Sequence, residues 1–475
     1  MVAMKKAVSF APDVAAEFAS VSLGDARLDA RLKRIVALVA VDPAESFPDQ
    51  MSSVADREAL YRFLANPKVT VATVLGGHLR QTRERLRERG IVRVVHDTTT
   101  FRFVGDREGL GETRGGGKGF LGHVALALAA DETREPFGVV GVHPFIHKDA
   151  VAHRGMTPSQ RVEATRAKPR AAKESARWEQ MALQVSTALP DGVHAIHVMD
   201  QEADDYDALA ALAQAQLRYV IRANPQRQTT DAKQTVHEVL ARQPATVFRT
   251  VRLTPRSERK AERTRGRHPA RDERDATLHL RWGAVTLGRR QYSASPTPTL
   301  SLWAVHVVEP HPPHGEAPIE WMLFTSDRVD TADDATAVVD HYRARWVIED
   351  YFKALKTGCA FEKRQLTTFD GLVRALAIFI PMAWRLLALR HLGRAASALP
   401  VARFVDAEQL RLLRQLLEQR RNHLPSRPTI RDVMLGIAAL GGHITNNGDP
   451  GWLVLGRGLT RLLDAEVGWR LAREM

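Results

Sequence analysis

The chain has 475 residues, 44% apolar and 26% charged, with 68 Lys+Arg against 55 Asp+Glu for a net charge of +13. This composition excludes a disordered, fibrous or collagen-like chain, and with Cys359 as its only cysteine it also excludes an internal disulfide or a cysteine-based zinc site. The longest apolar stretch, Leu372–Leu389, is interrupted by Arg374 and Arg385, and the N-terminus lacks the apolar core of a secretory signal, so an intracellular protein with no membrane partner is expected.

Residues 10–72 read as helical, with Leu28, Leu32, Ile35 and Val36, then Leu60, Phe63 and Leu64, recurring at helical spacing. Asn66-Pro67 ends that region, and a basic helix over 73–90 carries Arg80, Arg83, Arg85, Arg87 and Arg89 before Gly90. The pattern then changes to short β-branched runs. Ile91–His96 is expected to be a strand with Asp97 at its end, followed by a Gly-rich loop, Gly109–Gly119, and strands over Phe120–Ala129 and Phe137–His143. A long helix is expected over Ser159–Leu189. His194–Met199 is a strand with Asp200 at its end, then come a helix over Asp204–Gln214 and a strand over Leu217–Arg222. Thr246–Leu253, Ala276–Arg281, Ala284–Leu287, Leu300–Val308 and Trp321–Thr325 suggest an antiparallel insertion with a long charged turn at Arg256–Arg274. One helix is expected over Thr331–Thr357. From Asp370 onward the chain is Leu-rich and helical, with breaks near Pro425–Pro428 and Gly441–Pro450.

Charge is unevenly placed along these segments. The excess is +3 over 1–90, zero over 91–234, +4 over 235–330 and +6 over 331–475. Basic flanks favour an anionic partner, nucleic acid first, while the balanced centre retains acids. Asp97 and Asp200 end short apolar strands, the position that faces the ligand crevice of an α/β sheet, though an aspartate there also serves as a turn or helix cap. Asp200 leads the acidic run Asp200–Asp205. On the helix at 331–357, Tyr342, Arg345, Glu349, Lys353 and Lys356 share one sector about 80° wide at 100° per residue. That sector is either a solvated ion-pair ladder or a metal carboxylate flanked by phosphate-binding cations. Three carboxylates can hold two Mg²⁺ ions about 3.5–4 Å apart for phosphoryl transfer. Lys118 in the Gly-rich loop lacks the following Ser or Thr of a nucleotide-binding loop, and His143, His147 and His153 lack a metal-binding pattern.

The sequence resembles the DDE transposases of bacterial cut-and-paste elements, in the subgroup with a Tyr-x2-Arg-x3-Glu-x6-Lys signature, here Tyr342, Arg345, Glu349 and Lys356. Asp97-Thr98-Thr99 and Asp200-x-Glu-Ala-Asp204 match its first two acid blocks, with Gln201 where Arg is common. Leu23–Arg27, Tyr61–Phe63 and Ala438–Gly442 match further blocks. The resemblance implies a ribonuclease-H-like α/β core with an antiparallel β-rich insertion, flanked by helical N- and C-terminal domains. The implied boundaries are 1–72 for binding DNA ends, 73–370 for catalysis with the insertion at about 235–330, and 371–475 for dimerisation. It implies Asp97, Asp200 and Glu349 as ligands of two Mg²⁺ ions, for which Mn²⁺ would substitute. It further implies DNA contacts from Tyr342, Arg345, Lys353, Lys356 and Arg222, a base-stacking role for Trp321, and end binding by Arg27, Arg31 and Arg62. The expected reaction is strand nicking, hairpin formation, hairpin opening and strand transfer into target DNA by a DNA-bound homodimer in the bacterial cytoplasm, at the nucleoid. The competing readings are a catalytically silent, domesticated DNA-binding protein or transposition inhibitor of the same fold, and a nuclease that cuts without joining.

Overall fold

The computed structural model describes residues 14–113, 115–147, 155–230, 234–253, 255, 270–291, 293–316, 318–395, 400–444 and 448–474. Four helices lead in: α1 (Ala26–Val41), α2 (Phe47–Gln50), α3 (Val54–Ala65) and α4 (Val71–Leu86). Asp25, Ser53 and Thr70 cap α1, α3 and α4 by accepting backbone N–H groups of the first turn. The stripe read from the sequence, Leu28, Leu32, Ile35 and Val36, is the buried face of α1.

A single mixed sheet follows: β1 (Ile91–Phe103), β2 (Gly111–Glu112), β3 (Lys118–Ala129), β4 (Pro136–Phe145), β5 (His194–Met199), β6 (Arg218–Arg222), β7 (Thr246–Leu253), β8 (Arg274–Gly288), β9 (Thr299–Val308) and β10 (Glu320–Thr325). Its order is β2-β3-β1-β5-β6-β10-β9-β8-β7, with β4 also paired to β3. β1, β5 and β6 run parallel, and the remaining pairings are antiparallel. The expected insertion is therefore the antiparallel half of the same sheet, joined through β10 against β6. Most of the charged turn at 256–274 lies outside the described residues.

The intervening and closing helices are α5 (Pro158–Ala167), α6 (Arg177–Ala188), α7 (Tyr206–Gln214), α8 (Val236–Ala241), α9 (Ala332–Arg343), α10 (Trp346–Lys353), α11 (Phe369–Ala395), α12 (Ala407–Glu418), α13 (Ile430–Leu440) and α14 (Trp452–Glu474). Two expected helices are broken. The one over 159–189 stops at Lys168, because the proline at 169 disfavours helical backbone in the residue before it. The one over 331–357 tightens to i→i+3 hydrogen bonds at Ala344–Ile348 and widens to an i→i+5 turn at Ala354–Gly358. The expected strands over 276–281 and 284–287 are one strand, continuous through Trp282-Gly283.

One apolar core runs from the N-terminal helices across one face of the sheet and into α11–α14. Phe369–Arg394 is apolar and long enough to cross a membrane, yet 89% of its apolar window is buried inside this fold. Arg374, on that helix, donates to the carbonyls of Leu64 in the last turn of α3 and of Val69 beyond its end. At the α13–α14 crossing, a Cβ on Gly458 would sit 1.7 Å from the Ile437 carbonyl oxygen, which explains the glycines there.

The N-terminal helices are fastened to the sheet by one buried charge cluster. Glu17 accepts from the Arg85 guanidinium, and His78 Nδ1 lies 2.5 Å from Glu17 Oε2. The Val139 N–H donates to His78 Nε2, so the ring proton sits on Nδ1 and points at Glu17. Burial opposes charge on Glu17, but His78 and Arg85 outweigh it and hold the carboxyl below its usual range. Glu17→Ala would leave Arg85 buried with no counter-charge. It is expected to cost about 3–5 kcal/mol in chemical denaturation, and a loss near zero would show that this cluster does not fasten the domain.

Candidate active site

The site forms where the parallel strands stop. β1 pairs with β5 only as far as Val95 opposite Val198, and β5 ends at Met199. Asp97 lies two residues further along β1, still paired to Val124 of β3 on its other edge. The expectation that β1 ends at His96 is corrected: the strand continues to Phe103, and the opening at Asp97 arises because β5 has ended. Asp200 directly follows β5, and its Oδ1 accepts the Glu202 N–H at 2.9 Å.

Glu349 comes from α10, and Arg345 joins it to Asp97. Nη1 of Arg345 donates to Asp97 Oδ2 and Nη2 to Glu349 Oε1, each at 2.8 Å. Burial pushes the Asp97 carboxyl up to about 7; Arg345 opposes this, and Asp200 and Glu349 add to it. Burial also raises Asp200; the Glu202 N–H, Arg345 and Arg177 oppose this, and the Glu202 carboxylate adds to it. Burial works against the charge of Arg345, but Asp97, Tyr342 and Glu349 outweigh it and hold the guanidinium firmly protonated. Two aspartates and a glutamate with one bridging cation are a hard, all-oxygen donor set, suited to Mg²⁺ or Mn²⁺ rather than to soft ions. Among the described residues they do not close to within 4.8 Å of one another, as His237, His306 and Glu320 do.

The tightening at 344–348 and widening at 354–358 rearrange the face read from the sequence. Tyr342 is buried and meets Trp321 edge to face, with ring centroids 5.7 Å apart and planes at 64°. Arg222, at the end of β6, acts electrostatically on Tyr342. The wide turn brings Lys356 back to the sheet, where its Nζ donates to the Thr100 carbonyl at 2.5 Å; such turns recur at functional sites. Lys353 stays in solvent and pairs with Asp350 at 2.9 Å. Arg27 and Arg62 lie on the exposed surface of the N-terminal helices beside Asp25 and Glu58, and Arg31 is half-buried on α1.

Several neighbours escaped the sequence reading. Trp346 is 54% exposed, with the Arg345 guanidinium 5.2 Å from its ring centroid. A large aromatic among polar helix positions was its only signal. Arg177 donates to Thr98 Oγ1 at 3.2 Å and pairs with Glu202. On the other side of β1, His96 Nε2 lies 2.9 Å from His197 Nδ1, whose Nε2 lies 2.8 Å from Ser186 Oγ. Burial pushes His197 down to about 3, which keeps the imidazole neutral.

Acids at the strand ends, with cations from a following helix, form a polar, partly buried cluster on a mixed α/β fold. Residues 88–382 match the family described as Transposase DDE domain, and residues 13–69 match the one described as Transposase DNA-binding. The chain therefore belongs to the DDE transposases and carries a DNA-binding segment ahead of its catalytic domain. It also aligns with a solved piggyBac transposase synaptic complex with hairpin DNA, covering 90% of this chain and 70% of that one, at 11% identity and a TM-score of 0.35.

The raised Asp97 carboxyl has a consequence for stability. A folded-state value of about 7, above the ordinary 3.8, means the folded state holds a proton that the unfolded state has lost, so stability falls as pH rises between those values. With divalent ions chelated, Asp97→Asn is expected to be more stable than the parent at pH 8 by on the order of 4 kcal/mol, the gap closing toward pH 4. Thermal denaturation across pH checks this, and a variant less stable at pH 8 would contradict it.

Proposed function

We propose that this protein is a metal-dependent transposase of the bacterial cut-and-paste kind, with Tyr342, Arg345, Glu349 and Lys356 as its signature on a ribonuclease-H-like core. The observation that carries the reading is the Arg345 guanidinium, which joins the first acid, on β1, to the last, on α10. The strand order β4-β3-β1-β5-β6 supports the core, with antiparallel strands on one side of β1 and parallel ones on the other.

Asp97, Asp200 and Glu349 would hold two Mg²⁺ ions, with Mn²⁺ able to replace them, and bound ions supply the charge that activates an attacking oxygen and stabilises the leaving one. Arg345, already poised between two of these acids, turns its charge to the scissile phosphate and stabilises the negative charge that develops there. Lys356 and Arg222 bind flanking phosphates, and Tyr342 positions them. Trp321 stacks on a base turned out of the duplex, offsetting roughly 1–3 kcal/mol of lost stacking. Arg27, Arg31 and Arg62 grip the element's end, with Lys353 near the duplex as an outlying cation. Successive attacks by water, by the freed 3′-hydroxyl on the opposite strand, by water on the hairpin, and by the 3′ ends on target DNA complete the reaction. Two ends must be held together, so a homodimer through the C-terminal helices is the simplest assembly.

Incubation with Mg²⁺ and a linear DNA bearing the element's own ends is expected to yield nicked, hairpin and joined products. Glu349→Ala should reduce all three by at least about 100-fold, and Trp321→Ala should deplete hairpins more than nicks. DNA binding with no cleavage would instead identify a silent DNA-binding protein.

A further inference from the structure

A second cluster of metal-ligating side chains lies in the antiparallel half of the sheet. His306 on β9 and Glu320 on β10 are diagonal neighbours on one face, since His306 pairs with Met322 and Glu320 with Val308. α8 packs over that face and supplies His237, which follows its capping residue Thr235 by two positions. Glu320 Oε1 is 2.8 Å from His306 Nε2 and 3.9 Å from His237 Nε2, and all three ligand atoms lie within 4.8 Å of one another. A tetrahedral ion with bonds of roughly 2.0–2.1 Å keeps its ligand atoms about 3.3–3.4 Å apart, between those two distances.

We propose that His237, His306 and Glu320 form a binding site for one transition-metal ion of the Zn²⁺ class, separate from the carboxylate site. Two imidazoles and one carboxylate select such an ion over Mg²⁺, which prefers oxygen. His237 and Glu320 are 41% and 38% exposed, so an ion has a path in and a fourth position open to water, while His306 is buried and fixed. Arg281, opposite His306 on β8, is the positive group facing the cluster, and the Glu320 carboxylate is the negative one. His306 Nδ1 is buried without a protein partner. Moving the ring proton there frees Nε2 for the ion at the cost of one unsatisfied N–H, which is small beside three coordinate bonds. The ion would pin α8 to β9 and β10. Trp321 follows Glu320 and points to the opposite face of the sheet, toward Tyr342, so the same clip would steady the strand that presents it.

Co²⁺ titration of the chelator-stripped full chain tests this, read by the visible ligand-field absorption of four-coordinate Co²⁺. One equivalent is expected to give that spectrum in the parent and in Glu349→Ala alike, which separates this site from the carboxylate one. His237→Ala and Glu320→Gln, both at half-buried positions, should weaken binding by about 100-fold or more with folding verified by circular dichroism. Absence of a four-coordinate spectrum in the parent, or its persistence in His237→Ala, would overturn the assignment.

Discussion

The arrangement depends on how a concentration of negative charge is made tolerable where β5 ends beside the continuing β1. Burial raises the cost of ionising Asp97 and Asp200, and the charges of Asp200 and Glu349 add to it at Asp97. The Arg345 guanidinium offsets that cost by bonding the first and last of the three acids, and their charge in turn holds it protonated. Its Nε is buried without a partner, so the side chain is anchored wholly through its two terminal nitrogens. Besides the two acids, Tyr342 and the Trp346 ring lie against the guanidinium.

The fold serves this balance from both sides. Ending β5 at Met199 while β1 runs on to Phe103 opens the space into which Asp97 and Asp200 project. The tightened and then widened turns after α9 and α10 direct Arg345 and Glu349 at the sheet, bury Tyr342 and return Lys356 to Thr100. The antiparallel strands join the same sheet through β10, which carries Trp321 to Tyr342. The segregation of charge along the chain fits this layout: the segment carrying Asp97 and Asp200 is neutral overall, and the basic excess lies in the segments on either side.

Much of this was legible in the sequence. Helical stripes such as Leu28, Leu32, Ile35 and Val36 and the β-branched runs at 91–96 and 194–199 depend on local periodicity alone, and the elements they mark are present. Asp97 and Asp200 were visible because each follows a short apolar run, and Glu349 because it shares a helical sector with Tyr342, Arg345, Lys353 and Lys356. What escaped depends on tertiary partners. The extension of β1 to Phe103 rests on pairing with β3, not on its own Thr-rich composition. The five-residue face on 342–356 assumed a uniform 100° per residue, which the tightened and widened turns violate, and Lys353 consequently pairs with Asp350. His96 and His197, on separate strands, and His237, His306 and Glu320, on a helix and two strands, meet only through folding, so no spacing announces them.

The proposed function requires Arg345 to yield its place beside Asp97 and Glu349 when divalent cations bind. Anomalous scattering from Mn²⁺-soaked crystals tests it most directly. Two peaks between Asp97, Asp200 and Glu349, with the Arg345 guanidinium displaced from at least one carboxylate, are the expected result. No peak there, with Arg345 still bonded to both Asp97 and Glu349 at saturating Mn²⁺, would contradict it.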